Sequence, residues 1–281
     1  MRIITIDPVS LLERGDEMFS TDPFDGIVFE DPPEDVEWEV VETAAGLAEC
    51  AWMESVETIS VGLYRAMAEA DALAPLLASA PNLRSLDVPH PSSIEGIADL
   101  ELPSLSIVRI YCEGASEGDA ALAALARRPR SLRELQIVGC AITEAAARTI
   151  ASAKWPLEFL AFGSTVYSTD DLGTRGVMAL ANAASLSSLI TLDLVATSID
   201  DAAIDVLVSS PHLQAIQQLS LAENKGITDA GIERFATSAA LRSLRELAIH
   251  QTSVTDRAID ILRSQRPDLD VGEHYYTQWI G

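Results

Sequence analysis

Cysteine is scarce in this chain: Cys50, Cys112 and Cys140 are the only three in 281 residues. An odd number at wide intervals suits a reducing compartment and argues against a disulfide framework. Cys112 and Cys140 are expected as reduced, mostly buried thiols, with a redox pair as the alternative. Cationic residues are also few, 19 Lys and Arg against 43 Asp and Glu, for a net charge of −24. That field repels the phosphates of nucleic acids and anionic lipid alike. No apolar run approaches the roughly 18–20 residues that cross a bilayer. The opening residues, Met1 to Pro8, lack the charged, apolar and small-residue regions of a signal peptide. The expectation is a cytoplasmic protein.

Histidine is sparse too, and His90, His212, His250 and His274 are scattered. There is no His-Glu-x-x-His, Cys-x-x-Cys or aspartate-rich calcium loop. No metal, cofactor or catalytic constellation is expected. Gly173-Thr174-Arg175-Gly176 lacks the following Gly-Lys-Ser/Thr of a phosphate loop, and reads as a turn entering a helix at Val177. Paired carboxylates abound, but in so acidic a chain their adjacency carries little specificity.

What the sequence does have is self-similarity. Apolar residues spaced as L-x-x-L-x-L, with Val, Ile or Phe allowed, recur eight times, beginning at Val56, Leu83, Leu105, Leu132, Leu157, Leu189, Ile216 and Leu244. The interval between successive starts is nearly constant, shortest from Leu83 to Leu105 and longest from Leu157 to Leu189. Each predicts a strand, near 57–61, 84–88, 106–110, 133–137, 158–162, 190–194, 217–221 and 245–249. Three residues past the last apolar position stand Cys140, Thr165, Thr197, Asn224 and Thr252, small or hydrogen-bonding groups suited to a tight turn. Helix-start signals follow at Thr143-Glu144, Asp200-Asp201, Thr228-Asp229 and Thr255-Asp256. Apolar residues at helical spacing come next, as in Ile232 and Phe235 or Ile259 and Leu262. The unit is strand, turn, helix, return loop. The second repeat, from Leu83 to Leu105, leaves no room for a full helix.

These residues resemble the leucine-rich repeats of the ribonuclease-inhibitor class, and the stretch from Ser210 to Gly231 is similar to repeats common in large bacterial proteins. The resemblance covers about residues 54–270. It implies an α/β solenoid of about eight repeats, curved, with parallel strands on the concave face and helices on the convex face. Residues 1–53 are expected to cap one end, 54–266 to form the solenoid, and 267–281, with Tyr275, Tyr276 and Trp279, to cap the other. From Met1 to Ser60, only Arg2 and Arg14 stand against 16 acids. Such a surface keeps a protein soluble and can also steer a basic partner.

Side chains alternate along a strand, so the positions between the apolar ones face the concave surface. There Ile107, Tyr111, Val138 and Phe159 form an apolar centre, with Arg109, Glu134 and Gln136 among them and Asp193 beyond. This is the composition of an interface core. Aligning repeats places a four-residue insertion near 166–171, which makes Tyr167, Asp170 and Asp171 loop candidates. Arg109 is the one arginine placed to serve a GTPase-activating role, but Asp87 holds the same position in the adjacent repeat, which predicts a plain surface ion pair. The functional expectation is a non-enzymatic adaptor or scaffold binding a protein partner, and the alternative is an inhibitor or immunity protein that blocks a basic enzyme such as a nuclease.

Overall fold

The computed structural model describes residues 2–30, 39–61, 70–115, 117–163, 172–238 and 241–272. The chain divides into two compact units, one of Met1–Cys112 with Ala124–Leu132 and Trp279–Gly281, the other of Glu113–Ala123 with Arg133–Gln278.

In the first unit the chain alternates β1 (Ile3–Ile6), α1 (Pro8–Thr21), β2 (Gly26–Phe29), α2 (Val40–Ala48), β3 (Thr58–Ser60), α3 (Ala70–Ala78), β4 (Ser85–Val88) and α4 (Ser92–Ile97), and β5 (Ile107–Ala115) begins there. Each strand pairs in parallel with the next, from β1 to β5. Parallel neighbours need a crossover between them, and the helices supply it. The short second repeat yields an α4 of six residues, as its length implies. The acidic amino-terminal segment, expected as a cap, itself builds two strand–helix repeats.

The second unit continues with β6 (Glu134–Cys140), α6 (Glu144–Ala153), β7 (Phe159–Gly163), α7 (Gly173–Ala181), β8 (Thr191–Val195), α8 (Asp201–Ser209), β9 (Gln218–Ser220), α9 (Asp229–Thr237), β10 (Glu246–Ala248), α10 (Asp256–Gln265) and β11 (Asp270–Gly272). Strands β6 to β11 again pair in parallel, each with its successor. α5 (Gly118–Leu125) precedes β6. α7 begins at Gly173, ahead of the expected start at Val177.

The core of each repeat is the set of apolar positions that defined the pattern. Leu83, Leu86, Leu132, Leu135, Ile137, Leu157, Leu160, Phe162, Leu189, Leu192 and Leu194 are fully buried. Opposite them lie the inward stripes of the helices, such as Ala146, Ala147 and Ile150 on α6 and Ala203, Ile204 and Leu207 on α8. Among the described residues no helix is long and apolar enough to cross a membrane.

Candidate functional site

The register of the strands aligns the predicted surface positions as the repeat requires, unit by unit. In the first unit Thr58, Ser85 and Ile107 form one row, and Ser60, Asp87 and Arg109 the next. In the second unit Glu134, Phe159, Thr191, Gln218 and Glu246 form one row, and Gln136, Ala161, Asp193, Ser220 and Ala248 the next.

The first unit corrects two expectations. Arg109 does meet Asp87, Nη1 to Oδ1 at 3.1 Å, but their side chains are only 6% and 3% exposed, so the pair is buried. Arg109 also reaches the Ser85 hydroxyl at 3.4 Å. Their row neighbours Thr58, Ser60 and Ser85 are buried as well. The whole inner part of this strand face is withdrawn from water, which leaves Arg109 a structural cation and no arginine finger. Tyr111 is buried too and does not stand free as an anchor, whereas Ile107 remains half-buried.

In the second unit Glu134, Val138 and Phe159 are half-buried, while Gln136 and Asp193 are buried. Gln136 donates from Nε2 to Glu134 Oε1 at 2.7 Å. Asp193 accepts from the Val195 N–H at 3.2 Å. Burial pushes its carboxyl up to about 7, and the Ser220 hydroxyl and the Val195 N–H pull it only part of the way back. Tyr167, Asp170 and Asp171 lie outside the described residues.

The most ordered polar feature of this face was not anticipated. Thr191 donates its hydroxyl to Gln218 Oε1 at 2.7 Å, and Gln218 donates from Nε2 to Glu246 Oε2 at 3.1 Å. Three consecutive strands thus present a hydroxyl, an amide and a carboxylate in fixed orientation. The signal was available: all three residues share the repeat position of Glu134 and Phe159.

Three further devices tie the repeats of this unit together. At the helix entries, Asp119, Asp201 and Asp229 each clamp the capping threonine of the next repeat. Thr228 gives its N–H to Asp201 Oδ1 at 2.8 Å and its hydroxyl to Oδ2 at 2.6 Å, and Thr143 and Thr255 do the same with Asp119 and Asp229. The threonine still caps its own helix, accepting from Ala230, Ala145 or Ala258. Thr255 accordingly holds the Asp229 carboxyl below its ordinary value. Gly231 permits the clamp, since a side chain there would collide with Asp201. A second device is Asn224, which is buried. Its Nδ2 donates to the carbonyls of Leu194, Leu221 and Ala222, and its Oδ1 accepts from Thr197 and Ile199. The third is a turn two residues past the last apolar strand position, where Gly139, Ala196, Glu223 and Gln251 all take positive φ, between 52° and 80°.

Cys140 occupies the turn slot predicted for it, but it is disulfide-bonded. The expectation of a reduced thiol there is corrected: wide spacing in sequence does not limit which sulfurs a fold brings within bonding distance. Cys50 is free, and burial, then Asp16 and Glu49, push its thiol pKa up, which makes it a poor nucleophile. No three His, Cys, Asp or Glu side chains among the described residues gather as a metal site.

No protein-family model and no curated protein matches the sequence. Solved structures do. An internalin of Listeria monocytogenes, a leucine-rich-repeat protein, superposes with a TM-score of 0.51 at 17% identity, over 93% of this chain and 64% of its own. This chain thus spans less than two thirds of that internalin. A protein from Bacteroides fragilis superposes with a TM-score of 0.53 at 13% identity, over 94% of this chain and 73% of its own. At such identities the likeness is one of fold: parallel strands alternating with helices in a leucine-rich-repeat solenoid.

Proposed function

We propose that this leucine-rich-repeat chain is a non-enzymatic interaction module, an adaptor or scaffold, that holds a protein partner against its strand face. The observation that carries the reading is the row Glu134, Phe159, Thr191, Gln218 and Glu246. Its members stand in strict register, its polar groups are oriented by one another, and every member but Thr191 is partly exposed. A half-exposed aromatic ring beside pre-ordered polar groups is what an interface offers: apolar area for affinity, and hydrogen bonds whose ordering cost is already met. Catalysis would need a nucleophile or an acid–base pair aimed at a common point. Asp193 is shifted toward neutrality, but it is sealed within the face.

A second reading is favoured by charge. A net −24, with 16 acids between Met1 and Ser60, suits an inhibitor or immunity protein that blocks a basic enzyme. The compartment bears on both. A cytoplasmic setting follows from the residue pattern, whereas a disulfide at Cys140 favours an oxidising one.

The test is affinity capture from the source cells at low and high salt, followed by binding measurements on variants. Phe159→Ala and Glu246→Ala are each expected to weaken the captured partner by roughly 1–3 kcal/mol. A partner that is cationic and lost at high salt supports the inhibitor; a neutral, salt-insensitive one supports the adaptor. Unchanged binding in both variants moves the interface to the helices or the ends of the chain.

A further inference from the structure

The chain is short of cations, yet three of its 19 fall within four residues: Arg127, Arg128 and Arg130. The whole stretch from Met1 to Cys112, which belongs to the same compact unit, supplies five. α5 ends at Leu125, and a helix C-terminus favours a nearby cation, but that effect accounts for one charge rather than three. The three guanidiniums are held in different ways. Arg130 is half-buried, and its Nη2 donates to the carbonyls of Ile97 at 3.4 Å and Ala98 at 3.2 Å. Its Nε is buried without a hydrogen-bond partner. Burial, then the charge of Arg128, hold its pKa below the ordinary arginine value, and Asp99 offsets part of that. Arg128 lies 3.6 Å from Glu101, but the two side chains are 45% and 85% exposed, so the pair contributes little. Arg127 is exposed and has no ion-pair partner among the described residues. Pro129 fixes its own φ and restricts Arg128, which leaves the loop less backbone freedom to lose on binding. Cations held together against their own repulsion are relieved by an anion.

We propose that loop 127–130 binds a short acidic stretch of a partner polypeptide, whose Asp or Glu carboxylates take the forks of Arg127 and Arg128. Guanidinium and carboxylate match as bidentate pairs. Phosphate offers similar oxygens, but the surroundings select against its polymeric forms. Exposed Glu101 lies against Arg128, exposed Asp99 is close enough to act on Arg130, and the chain as a whole carries −24. A nucleic acid or an anionic membrane presents continuous negative charge, which would lie against those acids as well. A few carboxylates in sequence need not. An adaptor needs a second surface besides the strand face, and this loop supplies one. The assignment stands whether or not the strand face binds.

Hexaglutamate carrying a fluorophore serves as the probe, and its anisotropy is followed as the full-length protein is added at low salt. Saturable binding is expected, weakening as salt rises. Arg127→Glu with Arg128→Glu is expected to reduce affinity by about tenfold or more, the scale of lost hydrogen bonds between charged groups. Lys154→Glu with Arg175→Glu changes the net charge equally at two other exposed cations, and is expected to cost less than about threefold. Arg130 stays in place because it closes α4, and circular dichroism checks that both double variants keep the fold. Phe159→Ala should leave the peptide bound, which separates this loop from the strand face. Failure of the parent chain to bind the peptide at low salt overturns the proposal, as does equal weakening in the two double variants. Oligothymidylate or phosphatidylserine vesicles bound more tightly than the peptide, and lost with Arg127→Glu and Arg128→Glu, would overturn it in favour of phosphate. Self-association of the parent chain that the same variant abolishes would overturn it in favour of a second copy.

Discussion

The two units repeat the same strand and helix but join successive repeats by different chemistry. In the second, one joint recurs: a carboxylate clamps the threonine cap of the next repeat at three helix entries, and Asn224 satisfies two N–H groups and three carbonyls of its turn and the preceding one. In the first, the joints are individual. Trp52 lies against Phe24 and Phe19, with ring centroids 5.3 and 6.4 Å away, and its Nε1–H donates to Asp16 at 3.0 Å. Gly15 gives the indole room to approach α1. Arg130 donates to the carbonyls of Ile97 and Ala98, closing the short α4. Arg109 and Asp87 bury a charge pair. Where repeat length is regular the same polar solution can be reused; where it is not, each joint needs its own.

The sharpest contrast lies in what can be replaced. Arg109→Met leaves Asp87 buried beside an apolar chain and is expected to cost about 3–5 kcal/mol in denaturant unfolding. Pairing it with Asp87→Leu should recover most of that loss, because a buried ion pair is worth little more than well-packed apolar groups. Asn224→Ala is expected to cost roughly 2–4 kcal/mol, with no such rescue, because its partners are backbone groups that cannot be mutated away. A double variant as unstable as Arg109→Met alone would remove the distinction.

The next largest effect depends on pH and belongs to the second unit. The Asp193 carboxyl is raised to about 7 from an ordinary value near 3.8. Between those values the folded chain holds a proton that the unfolded chain has released. Stability from this group is therefore full below pH ~4 and lost as pH rises toward 7, by roughly 2–4 kcal/mol. Asp193→Asn should abolish that slope and gain on the parent protein above pH 7. Parallel curves for parent and variant across pH 4–7 would refute it.

The same contrast explains what could be read from sequence. All eight expected strands are present, because the spacing of buried leucines is the physical cause of the repeat and is written directly in the residues. β2 was equally legible and was missed: Phe24, Ile27 and Phe29 keep the L-x-x-L-x-L spacing and are buried, but phenylalanines in an acidic, proline-rich stretch look like a cap. β11 offered less, since Asp268 stands where the pattern has its first leucine. On the strand face, register was predictable from alternation, but burial was not. Whether Arg109, Tyr111 and Asp193 meet water depends on what lies over the strands, and local periodicity carries no information about that. The clamp was half visible: Thr-Asp was recognised as a helix start, whereas the reach of each aspartate to the threonine of the following repeat is a property of stacking.

That clamp gives a smaller prediction. Thr228→Val removes a cap and leaves Asp201 without its hydroxyl donor, and a loss of about 1–2 kcal/mol is expected. Thr228→Ser should keep both bonds and nearly all the stability. Hydrogen exchange should show the loss first at the start of α9, the helix that Thr228 caps. Equal losses from valine and serine would mean that the methyl group, not the hydroxyl, matters.

The smallest effect reverses sign between repeats. At the turn after each strand Gly139 has φ 80°, while Ala196, Glu223 and Gln251 hold 52° to 61°. Left-handed backbone costs a residue with a Cβ about 1–2 kcal/mol, against which glycine's larger unfolded-state entropy returns part. Glu223→Gly should therefore be neutral or stabilising by up to about 1 kcal/mol. Gly139→Ala, at the same turn position of β6, should cost about 1 kcal/mol or more. Thermal melts of the two variants suffice, because only the signs matter. If Glu223→Gly destabilises instead, the side chain contributes something at this turn that its backbone geometry does not reveal, and the turn is not the interchangeable module that the regular unit otherwise displays.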